Sequence, residues 1–338
     1  MKRYQKGALC IAFSVIVQCG VLWYVDKVLL KESDDFKIET VEVPVKTFDT
    51  NIEIPSTAQD VQISYSGKYI TYKNDSKFML VNTSNSETKE ILADTEILDC
   101  KWVPKNNTLY IVENKDNSIN LKTYNVDSDI EQDINELCQY NEGMDIKSYI
   151  SHSEQYIGVC YKGKTTIYRV DIEKEVNKLK NKINKLNSAD VFWNEDIFIY
   201  QDSETKKLYK YTCGQNSQTS EILVSNPLKT VILKAADDII FLGEYSENGK
   251  ISKIIFGKDT QNVSSWKIQN LEKPRDVKDI YITDKNEIII NDNDENKVTN
   301  INNGNSMSYK GKFVAINDRV LLSIDEGKIS LKSVKETL

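Results

Sequence analysis

The side chains suited to chemistry in this chain are scarce in one class and abundant in another. His152, in "YISHSEQY", is the only histidine among 338 residues. A Ser-His-Asp relay would need it as the base, and no G-x-S-x-G turn is present to carry the serine. A metal site built from several histidines is excluded by the same count. His152 is therefore read as a turn or strand-end residue. Carboxylates, by contrast, number 51. A glycosidase-like pair needs two of them roughly 5–10 Å apart, a separation that sequence spacing does not fix. Most Asp and Glu fall in polar tips, where turn formation accounts for them.

One acidic stretch has metal-ligand spacing. In "NDNDENK", Asp292, Asp294 and Asn296 alternate as oxygen ligands do at the start of a calcium loop. Lys297 then stands where the loop needs glycine, and Asn303 where it needs a bidentate glutamate. Asp292-x-Asp294 after "EIIIN" also fits a metal-binding DxD after a strand, but the flanking strands make the stretch one more hairpin tip, so no cofactor is expected and calcium is the alternative. Phosphate-cradling loops and dinucleotide fingerprints are absent. Trp102 and Trp193 fall at matching places in two repeats, which favours packing over a ligand platform.

The elements that must position these residues are short strands. Seven paired runs recur, beginning at Tyr69, Leu109, Tyr156, Ile197, Ile239, Glu287 and Arg319, each a strand, a polar tip and a strand. A shorter β-like run precedes every pair, as in "ILDCKWV", "VKDIYITD" and "KFVAIND". Several pairs are followed by a candidate outer strand, as in "ETKEIL" and "SEILV". Units of three to four antiparallel strands at a period of roughly 40 residues are the pattern of propeller blades. The expected fold is an all-β, seven-bladed β-propeller spanning residues 38–338. Its last unit lacks an outer strand, so Ile38–Lys46 is expected to pair with residues 312–338 and close the ring.

The stretch "SYSGKYITY" resembles the Ser-Pro-Asp-Gly-Lys-x-Ile-Ala-Phe repeat of TolB-type propellers, and propellers of the dipeptidyl peptidase IV N-terminal type are similar. Ser64, Gly67, Lys68 and Ile70 match, whereas Tyr65 and Ser66 depart from Pro-Asp. In "WVPKNNTLYIV", Pro104 and Leu109 fit and Asn106 stands where glycine would. The resemblance implies the fold and says nothing about catalysis.

Two segments break the β pattern and are read as short inserted helices. "DSDIEQDINELCQY" places Ile130, Ile134 and Leu137 on one helical stripe. "DIEKEVNKLKNKINKLN" does the same with Ile172, Val176, Leu179, Ile183 and Leu186. The second stripe is expected either to pack on the propeller or to meet a partner.

Residues 7–25 carry no charge and are long enough to span a bilayer as a helix. Lys2, Arg3 and Lys6 precede this run, and Trp23 and Tyr24 stand at its far end. A positive-inside orientation makes residues 1–6 a cytoplasmic tail, 7–25 a retained anchor, 26–37 a linker and the propeller extracytoplasmic. The net charge of the chain is −7, and with three basic residues and no acid in residues 1–25, residues 26–338 carry −10. That acidity argues against nucleic acid. Of the cysteines beyond the anchor, Cys100, Cys138, Cys160 and Cys213 admit two disulfides, but Cys100 and Cys160 lie in apolar β-like runs and read rather as small buried hydrophobes. The expected function is a membrane-anchored binding or scaffold module for envelope proteins, peptides or glycans. The alternatives are an envelope hydrolase or lyase using acidic residues, and a ligand-sensing subunit.

Overall fold

A computed structural model describes residue 18 and residues 48–338, apart from 76, 94, 152–153, 180–182, 214–216 and 335–337. The chain divides into Met1–Pro44 and Val45–Leu338, and the described strands all belong to the second unit. The apolar run 7–25, its flanks and Ile38–Lys46 lie outside the described residues, save for residue 18. Among the described residues, no helix is long and apolar enough to cross a membrane.

Each paired run forms a hairpin because alternating β-branched and aromatic residues meet a tip that tolerates positive φ. In the second unit, for example, Thr108–Lys115 and Ser118–Asn125 are joined by Asp116 and Asn117, at φ 54° and 61°. Seven antiparallel sheets result, and in six of them the strands lie in chain order. They follow one another as blades 1 to 7, starting with Gln59–Ile63 as the inner strand of blade 1. Blade 7 is the exception to chain order. Its outer strand is Phe48–Glu53, which pairs antiparallel with Lys328–Ser333. The ring is thus closed from the N-terminal side, by the segment just after Ile38–Lys46. Phe48–Glu53 reads "FDTNIE", with too few apolar residues to advertise a strand.

The core is divided as a propeller requires. Seven apolar clusters sit one at each blade interface. Ile52, Ile70 and Leu322 join blades 7 and 1, and Ile289, Val298 and Leu321 join blades 6 and 7. The inner strands leave one backbone edge toward the axis, and carboxylates from neighbouring blades satisfy part of it. Asp99 Oδ2 accepts from the Ser148 N–H at 2.6 Å, and Asp190 Oδ2 from the Ala235 N–H at 2.7 Å.

The expected helices are strands. Residues Ile130–Gln139 form the outer strand of blade 2, and Val176–Lys178 with Ile183–Asn184 form that of blade 3. The physical reason for the first is bulging. The register against Ser118–Asn125 skips Ile134 and Leu137, so each is the extra residue of a bulge. Two bulges stretch a period of two into the spacings of four and three that mimic a helix. The described helical structure within residues 48–338 is three single-turn 3-10 segments.

Candidate functional site at one mouth of the central channel

The turns joining inner to second strands share one end of the ring. In blade 1, the buried Ser64 hydroxyl accepts from the Tyr69 N–H, and Gly67 turns the chain at φ 75°. A Cβ on Gly67 would lie 2.6 Å from Val320 Cγ2 of blade 7. Glycine is required there both for the backbone angle and for the close approach. Asn317 of blade 7 braces the same seam: its Oδ1 accepts from the N–H groups of Arg319 and Val320, and its Nδ2 donates to the Ser64 carbonyl.

A cavity of about 240 Å³ opens among these turns. Its walls include Tyr65, Trp102, Pro104, Tyr281, Asp284 and Asp318, with Lys234 also present. These residues come from blades 1, 2, 5, 6 and 7, which converge only at the axis, so the cavity is one mouth of the central channel. Two carboxyl groups meet at its rim. The Asp284 N–H donates to Asp318 Oδ1 at 3.1 Å. Burial raises the pKa of Asp318 above the ordinary carboxylate value, and the adjacent Asp284 charge pushes it further the same way. Beside Asp284, Lys105 Nζ lies 3.8 Å from its Oδ2 and 5.2 Å from the centroid of the Trp193 ring. The Arg319 guanidinium lies over the Tyr65 ring at 4.9 Å.

Asp284 and Asp318 do not stand out in the sequence as individuals, although acid chemistry in a propeller would draw its pair from different blades. A signal is present all the same. "VKDIYITD" and "KFVAIND" each end in aspartate at the same point of consecutive repeats. The two tryptophans behave differently from one another: Trp102 stacks on Tyr69 and lines the cavity, while Trp193 carries the Lys105 ammonium. His152 lies outside the described residues.

The calcium-like residues form a hairpin tip. Asp292 Oδ2 accepts from Arg275 Nη2 at 2.5 Å, and Oδ1 accepts from the N–H groups of Asp294 and Glu295. Asn296 supplies the positive φ of the turn, at 48°. The Arg275 guanidinium beside Asp292 holds its pKa down to about 2. Among the described residues, no group of three or more His, Cys, Asp or Glu is placed to hold a metal.

The five residues of the second expected stripe are not brought together on a surface. Ile172 is exposed, Leu179 and Ile183 are buried between blades 3 and 4, Val176 packs toward blade 2, and Leu186 begins the inner strand of blade 4. Cys100, Cys138 and Cys160 are free thiols, and burial pushes that of Cys100 strongly upward.

No protein-family profile matches the chain, and no curated protein does. Solved structures do. Virginiamycin B lyase from Staphylococcus aureus superposes with a TM-score of 0.53 at 12% identity, over 86% of this chain and 99% of that one. Hsv2 from Kluyveromyces lactis gives 0.51 at 12%, over 82% and 97%. The CNH domain of AfRom2 gives 0.52 at 11%, over 86% and 98%. TolB from Acinetobacter baumannii also matches, at 0.42 and 13%, over 81% of this chain and 63% of that one. At such identities the likeness is one of fold: this chain carries a seven-bladed β-propeller.

Proposed function

We propose that this chain is a binding module of the cell envelope, held to the membrane by residues 7–25, whose ligand enters the channel mouth beside Asp284 and Asp318. The observation that carries the reading is the convergence of five blades on one cavity with charged and aromatic groups at its rim. Turns on a rigid scaffold can vary without disturbing the core, which is why propellers and similar folds bind there. The membrane part rests on the uncharged run and its basic flank.

The test is site-specific photocrosslinking in intact cells. A photoreactive phenylalanine at Tyr281 is expected to give discrete adducts, and the same group at Ile130, on the outer strand of blade 2, is expected to give none. Equal yields at both positions, or none at Tyr281, would remove the mouth as the binding site.

A second reading is favoured by one observation, the raised pKa of Asp318 next to Asp284. A carboxyl with a raised pKa beside a second carboxylate is the arrangement that supplies an acid and a base at the same place. Envelope glycans and peptides incubated with the chain should then yield cleaved product, lost in Asp318→Asn. Intact material after saturating exposure would leave binding alone.

A further inference from the structure

The chemistry at the mouth specifies the kind of group it takes, on the reading above that the mouth is the binding site. An ammonium group already pairs with the rim carboxylate Asp284. Lys105 comes from blade 2, its aromatic partner Trp193 from blade 4 and its carboxylate partner Asp284 from blade 6. Three blades thus meet around one positive charge. The lysine is held loosely: its side chain is 48% exposed, that of Asp284 is 41% exposed, and their separation is 3.8 Å. Pairs this exposed are weak and are readily exchanged for an equivalent partner.

The cavity offers more to a cation than Lys105 itself uses. Asp318 is more buried than Asp284, and the Tyr281 side chain stands on the wall, while the Tyr65 ring already carries the Arg319 guanidinium. Aromatic faces and carboxylates together recognise ammonium groups. At about 240 Å³ the space is smaller than a typical small-molecule site, and suits one long side chain. The net charge of −10 on residues 26–338 favours approach by a basic segment.

We infer that the mouth takes the ammonium group of a lysine side chain presented by a partner polypeptide, and that Lys105 is the intramolecular group it displaces. An entering ammonium favours the ionised form of Asp318, against the burial and the Asp284 charge that raise its pKa. The charged groups around Asp318 are Asp284 and Lys285, which shift it, with Lys105 on Asp284, Lys234 on the cavity wall and Arg319 adjacent in the chain.

The probe is the peptide acetyl-Gly-Lys-Gly-amide, compared by calorimetry with its norleucine counterpart, which is neutral and nearly isosteric. With the full-length chain the lysine peptide is expected to bind and the norleucine peptide is not. Lys105→Met, which removes the tethered competitor, is expected to tighten lysine-peptide binding about threefold. Asp318→Asn and Asp284→Asn should each weaken it about tenfold or more. The lysine-peptide affinity should rise with pH through the titration of Asp318. Lys105→Met binding the lysine peptide no better than the parent overturns the displacement. Equal binding of both peptides overturns ammonium recognition while leaving the mouth as the site. Binding of neither overturns the inference, and the Tyr281 crosslinking result then decides the mouth separately.

Discussion

Gly67 shows how one residue ties local conformation to packing between blades. Its φ of 75° disfavours any Cβ, and Val320 Cγ2 would stand 2.6 Å from that atom. Gly67→Ala is expected to cost about 1–3 kcal/mol in denaturant unfolding. Two aspartates illustrate opposite linkage. Asp292 is held near 2 by Arg275, below its unfolded value. Its contribution is therefore present above the unfolded pKa and disappears as pH falls from about 4 toward 2. Arg275→Gln should cost on the order of 1–2 kcal/mol at pH 7, and the difference from the parent should vanish in acid. Asp318 has its pKa raised, so the folded state holds the proton more tightly than the unfolded chain. Stability from this group is complete below the unfolded pKa and is lost as pH rises through the folded one. Asp318→Asn is accordingly expected to raise the melting temperature at pH 7 while weakening the mouth as a cation site. A melting temperature lowered at pH 7 would contradict the raised pKa of Asp318.

At the scale of elements, inner strands and hairpins were legible because their apolar residues alternate or run continuously. All seven hairpins stand where the sequence pattern predicts them. Outer strands were less so. They bury one face only, and in Ile130–Gln139 the bulged residues Ile134 and Leu137 reproduce helical spacing. The second misread segment is split between neighbours that no local pattern reveals: Ile183 is 3% exposed and Ile172 is 69% exposed. Ile183→Ala should cost about 2–4 kcal/mol. Ile172→Ala should fall within about 0.5 kcal/mol of the parent. Equal losses in chemical denaturation would restore a common helical face and count against the strand assignment.

The whole molecule depends on closure. Blade 7 joins Lys312–Ile316, Val320–Asp325 and Lys328–Ser333 to Phe48–Glu53, whose Ile52 packs with Ile329 and Leu331. A chain beginning at Ile54 would leave the edge of Lys328–Ser333 open and expose part of that cluster. Its melting temperature is expected to fall by roughly 10 °C or more, with aggregation on heating. An unchanged melting curve would show that the ring holds without this strand. By itself the sequence determined the number of repeats, the hairpins, the acidity of residues 26–338 and the absence of multi-histidine chemistry, because these are properties of composition and of short-range period. Only the tertiary structure decided that Asp284 and Asp318 share one mouth, with Lys105 on Asp284 and Trp193 beneath that lysine. They lie in separate turns of blades 6, 7, 2 and 4, and what brings them together is the curvature of a closed ring, which no local spacing encodes.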